Sequence, residues 1–511
     1  MLRPAASLAA FFLALAAAHA QFVPADKPAP LRHLSNAARA RFGTITVSEN
    51  RANPTRMIQL AVIIVPAQTA TPKPDPVFYI VGGPGGSATL SSGGFPIFDK
   101  LNLERDIVFV DPRGAGFSEP SLYMRRDGVT IGQFTNRNRA FFASQGIDLS
   151  AYNTSEIAQD YEAARVALGY GQINLVANSY GTFVAQEMLR RFPGSLRAVV
   201  MGGNSPATDP FLPTSLAIER DGIEALLADV ARTPAARRAF PNLRQRFYKL
   251  MERLNADPVR LRLANRDTGK KEGVTIDGQE FLDTIVGMLQ RSQTMRYIPL
   301  MVRQLERREY GGLVARFFAP TQDLRRDNPF GMYLSVLGTD FAAPGYVRAT
   351  THGTLSVRNR ALVRTEAPLL VQLSQLVVAW GVPYAPGTTR TLPHSSVPTF
   401  LMNGRMDAQT PVTGGATIAA GLSNATNYVY PRSGHAVGIV EGPALDAAME
   451  FITDPTHAPR YALANLRRPH FYAVSEPVAK SRGVDDWRDH LVDPPLWHAW
   501  RSPSQDAQET P

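Results

Sequence analysis

A run of strand-forming residues, Ile173-Asn174-Leu175-Val176-Ala177-Asn178, passes directly into Ser179-Tyr180-Gly181-Thr182 and then into a helical pattern. A strand that becomes a helix without a loop brings two backbones close together, so the turn needs little side-chain bulk. Ala177 and Gly181 flank it. A junction of this kind belongs in a parallel sheet, whose strands are joined by crossover helices. The remaining apolar runs should then be short buried strands separated by helices.

Residues 57–66, 76–81, 106–110 and 196–201 are β-rich or apolar runs of that kind. Short runs of this type suit strands covered on both faces. Residues 154–168 place Ile157, Tyr161, Ala164 and Leu168 on one helical face, with Thr154 or Ser155 available as the cap. Residues 21–55, rich in Pro and Ala, read as an irregular lead-in. The rhythm stops after Asn204. Residues 206–390 are mainly helical in pattern, rich in arginine and without buried-strand runs. Strand and helix patterns resume at 397–403, 413–422, 427–430 and 444–452. The expectation is an α/β protein with a mostly parallel central sheet flanked by helices. A large, mainly helical cap is inserted after the sixth core strand, over the strand ends where ligands bind in open sheets. The expected boundaries are 1–20 for an export signal, 21–205 and 391–457 for the two parts of the core, 206–390 for the cap and 458–511 for a C-terminal extension. The last ten residues of that extension read as disordered.

The export signal rests on Arg3, an apolar run at 8–18 and the small-x-small site Ala18-His19-Ala20. That run is too short to span a bilayer. The mature chain would begin near Gln21, and a periplasmic or secreted location follows. Among 511 residues there is no cysteine. Disulfides, a lipid-modified N-terminal cysteine, thiolate metal sites and a cysteine nucleophile are therefore excluded. Export without disulfides fits a bacterial envelope. The formal net charge is +10, but the arginines at 232–271 and 303–326 alternate with Leu, Phe and acids at helical spacing. They read as solvated helix faces rather than a nucleic-acid surface. Stable membrane insertion is not expected either.

The chemistry centres on the Ser179 hydroxyl. The strand-turn-helix around it has the shape of a nucleophile elbow. A serine needs a base to take its proton and a carboxylate to orient that base. Asp407 follows the strand pattern at 397–403, and His435 follows the one at 427–430. Both would reach the sheet edge that carries Ser179, with Asp209 and His394 as the alternative acid and base. An acyl-transfer site also needs oxyanion donors. Gly82-Gly83-Pro84-Gly85-Gly86 follows the strand at 76–81, so the N–H groups of Gly83 and Tyr180 are assigned to the hole. The glycine run lacks the Lys-Ser/Thr ending of a phosphate loop. Arg113, in Asp111-Pro112-Arg113-Gly114-Ala115-Gly116-Phe117-Ser118, reads as an internal anchor for its loop. Neither a metal nor a cofactor is called for.

Five segments occur in a telling order: Gly82-Gly83-Pro84-Gly85-Gly86-Ser87, Asp111 through Ser118, Asn178-Ser179-Tyr180-Gly181-Thr182, Asn403-Gly404-Arg405-Met406-Asp407 and Ser433-Gly434-His435. Together they resemble the proline iminopeptidase and tripeptidyl aminopeptidase group of α/β-hydrolases, over residues 55–205 and 395–455. The resemblance implies an α/β-hydrolase fold, Ser179 as nucleophile, His435 as base and Asp407 as its orienting acid. It further implies cleavage near a free peptide N-terminus, with the substrate amine held by carboxylates of the cap. Glu219, Asp221 and Glu224 are the earliest acidic cluster there. Val81 and Ala177 depart from the histidine or polar residue and the glycine of many relatives, which leaves the substrate class open. An esterase, lactonase or amidase acting on a small molecule would use the same triad. A non-catalytic binding protein would not need all three residues.

Overall fold

The computed structural model describes residues 21–25, 36–91, 95–124, 131–320, 329–439, 442–460 and 472–475. The expected export signal and most of the expected C-terminal extension lie outside the described residues. The strands are β1 (Phe22–Pro24), β2 (Arg41–Ser48), β3 (Met57–Val65), β4 (Val77–Ile80), β5 (Ile107–Val110), β6 (Ile173–Asn178), β7 (Leu196–Gly202), β8 (Val259–Ala264), β9 (Lys271–Ile276), β10 (Thr399–Gly404) and β11 (Ala425–Tyr430). Nine of them form one sheet in the order β1-β2-β3-β5-β4-β6-β7-β10-β11. From β5 to β11 every neighbouring pair is parallel, and β1, β2 and β3 add antiparallel pairings at one edge. The β4, β5, β6 and β10 residues are buried throughout, as expected for strands with helices on both faces.

Part of the expected irregular lead-in is a strand. In β2, Gly43, Ile45 and Val47 are buried and the Thr and Ser between them are less so. With only two large apolar residues facing the core, the alternation is faint in the sequence. The helix Thr154–Ala167 is capped by Asn153, whose side chain accepts from the Glu156 N–H at 2.9 Å, and not by Thr154 or Ser155.

The elbow helix Gly181–Arg191 packs tightly on β4. A Cβ at Gly181 would lie 2.3 Å from the Ile80 carbonyl oxygen, so this approach requires glycine. The insert follows β7, which is the sixth strand counted from Arg41. It is mainly helical, with long helices at Leu212–Arg232 and Arg360–Trp380. It also contains the β8–β9 antiparallel hairpin, the strands that the mainly helical pattern did not mark. In β8 half-buried and exposed residues alternate and β9 is mostly exposed, so no apolar run announces the hairpin. Several insert arginines pair with acids on its surface, such as Arg244 with Glu224 and Arg246 with Glu306. Among the described residues, no helix is long and apolar enough to cross a membrane.

Candidate active site

Ser179 stands at the C-terminal end of β6 with φ 57°, a left-handed conformation that is uncommon for a residue with a side chain. Its neighbours hold it there. The Ser179 N–H donates to the Gly202 carbonyl at 3.0 Å, and the Thr182 N–H and hydroxyl both donate to the Ser179 carbonyl, at 2.8 and 2.7 Å. The turn thus costs conformational energy that the sheet and helix offset, a condition typical of functional sites.

Asp407 lies just past β10 and His435 just past β11. The Asp407 Oδ2 and His435 Nδ1 atoms are 2.9 Å apart, and both residues are buried. The Gln409 and Thr410 N–H groups donate to Asp407 Oδ1 at 2.7 and 2.9 Å, and the Thr410 hydroxyl donates to Oδ2 at 2.6 Å. Burial alone would raise the Asp407 pKa. The charge and hydrogen bond of His435, followed by the Thr410 bonds, outweigh it and hold the carboxyl below its ordinary value of 3.8. With Nδ1 committed to the carboxylate, Nε2 is the ring nitrogen left to serve another partner.

The sign for stability follows from that lowered pKa. The contribution of the ionised Asp407 carboxylate is present above the unfolded value of 3.8 and is lost as pH falls through the folded one. The gap in unfolding free energy between wild type and Asp407→Asn should therefore be widest near neutrality. Urea titrations across pH should show it closing as the pH falls below 3.8.

Ser179 and His435 meet the same pair of glycines. Gly202 accepts the Ser179 N–H. A Cβ at Gly203, where φ is 60°, would lie 3.0 Å from His435 Cε1 and Nδ1. The strand order β6-β7-β10-β11 therefore presents Ser179, this glycine turn, Asp407 and His435 side by side. The alternatives fall elsewhere. Asp209 accepts from Ser205, Phe211 and Thr214 as a turn residue, and His394 is exposed.

On the other side of β6, the glycine turn after β4 rests against the serine. A Cβ at Gly82 would lie 2.7 Å from Ser179 Cβ and 3.3 Å from its Oγ. Gly83 has φ 121°, open to glycine alone. The Tyr180 N–H precedes the elbow helix and has no partner within that helix's own bonding pattern. Asp111 anchors this loop, a role the sequence reading did not assign. Its buried carboxylate accepts from the Ser87 hydroxyl, the Thr89 N–H and hydroxyl, and the Phe117 N–H, at 2.6 to 2.9 Å. Burial raises its pKa against those bonds. Arg113 is fully buried; it donates to both Asp160 carboxylate oxygens at 2.7 Å and to the carbonyls of Ser48, Glu49 and Ala151. It ties the loop to β2 and to the helix Thr154–Ala167, the anchoring role read from the sequence.

The insert touches the acid and base loops directly. A Cβ at Gly222 would lie 2.6 Å from the Asp407 carbonyl oxygen, and the Ala436 N–H donates to the Gln290 carbonyl at 2.9 Å. Just before His435, Arg432 pairs with Asp229 of the insert at 2.9 Å. The three acids singled out in the insert do not converge. Glu219 is buried, one helical turn from Gly222. Asp221 is exposed and paired with Arg220, and Glu224 bonds Arg244 and Tyr248. Glu219 is instead near Glu366 and Asp283, from distant parts of the insert. Burial raises its pKa most, followed by the charges of Glu366 and Asp283. Gln279 Nε2 bonds both of those neighbours, at 2.6 and 2.8 Å.

Residues 75–442 match the model of the alpha/beta hydrolase fold family. The chain belongs to that family. It is similar to YuaR of Escherichia coli (strain K12), whose name gives it as a hydrolase by inference, with 31% identity over 29% of this chain and 31% of YuaR. It is also similar to the serine protease Hip1 of Mycobacterium tuberculosis, with 28% identity over 25% of this chain and 29% of Hip1. The matches thus span under a third of the length of these relatives. A crystal structure of proline iminopeptidase from Mycobacterium smegmatis aligns over 83% of this chain and 99% of its own, with 13% identity and a TM-score of 0.33. A serine hydrolase from Cycloclasticus zankles aligns over 81% of this chain and 99% of its own, with 14% identity and a TM-score of 0.38.

Proposed function

We propose that this protein is an exported serine aminopeptidase that cleaves peptide bonds near a free N-terminus through Ser179, His435 and Asp407. The observation that carries the chemistry is the buried Asp407–His435 pair beside the strained Ser179 elbow. His435 Nε2 takes the Ser179 proton as Oγ attacks the carbonyl carbon. The N–H groups of Gly83 and Tyr180 receive the oxyanion. His435 then gives that proton to the leaving amine as the C–N bond breaks, leaving an acyl-serine. A water molecule, deprotonated by His435, releases the acid and restores Ser179. Asp407 keeps the ring oriented and offsets its positive charge in each step.

The name of the Hip1 relative supports peptides as substrates, and prolyl or tripeptidyl preference belongs to the resemblance. The carboxyl group of Glu219, next to Glu366 and Asp283, supplies the recognition of a substrate ammonium. A cation arriving there favours the ionised form of Glu219 that burial otherwise disfavours. Export rests on the N-terminal pattern at 1–20.

The test is a panel of peptidyl amides with free and blocked N-termini, beside simple aryl esters. Free peptides should be hydrolysed and their blocked counterparts should not. Glu219→Gln should raise KM for free peptides by about 10- to 100-fold, the worth of a charged hydrogen bond, and leave ester hydrolysis unchanged. Equal turnover of free and blocked peptides would move the assignment to an ester or amide hydrolase.

A further inference from the structure

The elbow is held from a second side, by a segment of the insert. The Tyr180 hydroxyl and the Thr154 hydroxyl are 2.8 Å apart. Thr154 Oγ1 is in turn 2.6 Å from Asp340 Oδ2, which also accepts the Thr154 N–H at 2.9 Å. The bond directions are determined. Thr154 has one hydroxyl proton and gives it to the carboxylate, so it accepts from the Tyr180 phenol. Asp340, Thr154 and Tyr180 are all buried.

Asp340 belongs to a π-helical turn, Leu337–Phe341, a rare geometry often found at functional sites. The next residue presses on the same helix, since the Phe341 ring packs edge-on against Phe183 with centroids 5.1 Å apart. Thr389 Oγ1 approaches Asp340 Oδ1 at 3.4 Å, and the Arg390 guanidinium lies over the Phe341 ring. Burial pushes the Asp340 carboxyl up to about 6, against the Thr154 and Thr389 bonds and the Arg390 charge. Above that pH it is ionised, the form that best accepts both Thr154 bonds.

We propose that Asp340 is a positioning residue for the oxyanion hole, orienting the Tyr180 backbone N–H through the Thr154 hydroxyl and the Tyr180 phenol. This rests on the reading of Ser179 as the nucleophile and Tyr180 as an oxyanion donor. The phenol and the N–H belong to one residue, located between the strained Ser179 and the first turn of the elbow helix. Fixing the ring at its far end limits rocking of that peptide unit. A donor aimed in advance lowers the barrier without adding to substrate affinity. The insert thereby influences the rate.

The experiment compares wild type with Asp340→Ala, Asp340→Asn, Thr154→Val, Tyr180→Phe and the double variant Thr154→Val/Tyr180→Phe. It reads kcat and KM on the best substrate of the panel, fluorophosphonate labelling rate and Tm. Asp340→Ala, Thr154→Val and Tyr180→Phe should each lower kcat and the labelling rate roughly 5- to 50-fold, with KM nearly constant. That is a fraction of the loss expected for removing a donor outright. The double variant should be no worse than the poorer single one. Asp340→Asn keeps an accepting oxygen for Thr154 and should retain most of kcat. Wild-type kcat in folded Tyr180→Phe and Thr154→Val would overturn the proposal, as would additive losses or an Asp340→Asn enzyme as slow as Asp340→Ala. A wild-type protein that is not labelled would overturn the nucleophile reading itself, and the positioning role with it.

Discussion

Ser179→Ala is expected to lower kcat/KM by about 10⁴-fold or more, with no comparable change in folding stability. Activity, unlike stability, depends on the hydroxyl: the bonds that hold the turn use the Ser179 N–H and carbonyl, which alanine keeps. His435→Ala should cause a loss of the same order. The double variant should be no worse than the single ones, because a nucleophile and its base act as one unit. Residual turnover above the uncatalysed rate would come from the oxyanion donors and from binding. Steady-state kinetics with an ester substrate measures all three variants. Additive losses would show that the two residues act in separate steps.

Arg113→Met should be the most damaging substitution for stability, costing about 3–5 kcal/mol. Burial opposes the charge of Arg113, and the Asp160 and Glu156 carboxylates more than offset it. Without the guanidinium, Asp160 keeps Arg51 alone as a cationic partner among the described residues, and three backbone carbonyls lose the Arg113 donor. Orphaned buried acceptors carry a desolvation cost that a methionine cannot recover. Arg51 meets the same carboxylates from a partly exposed position, so Arg51→Met should cost roughly 1 kcal/mol or less. Urea unfolding of the two variants gives the comparison. Equal losses would mean that Arg113 is not the anchor of the loop that carries Asp111.

Ser179, Asp407 and His435 were legible because each follows a strand that ends in a small-residue turn. Parallel strands in one sheet bring such ends to one edge, so chain order translated into spatial order. Asp111 was visible in its motif, but its role was not. A carboxylate that accepts three of its four bonds from Ser87 and Thr89 is apparent only once that segment is folded against its own loop. β2 escaped because Gly43, Thr44 and Thr46 dilute its alternation. The insert was the least legible part. Glu219, Asp221 and Glu224 are close in sequence, yet a helix turns about 100° per residue and points them apart. The partners that Glu219 does meet, Asp283 and Glu366, are distant in the chain and come together through packing alone. The same is true of Asp340 and Thr154, which belong to the insert and the core.

Wild-type protein treated with a fluorophosphonate and digested should carry the adduct on the peptide containing Ser179. Labelling should vanish in Ser179→Ala and fall steeply in His435→Ala. An adduct on another residue, or equal labelling of wild type and Ser179→Ala, would contradict the account.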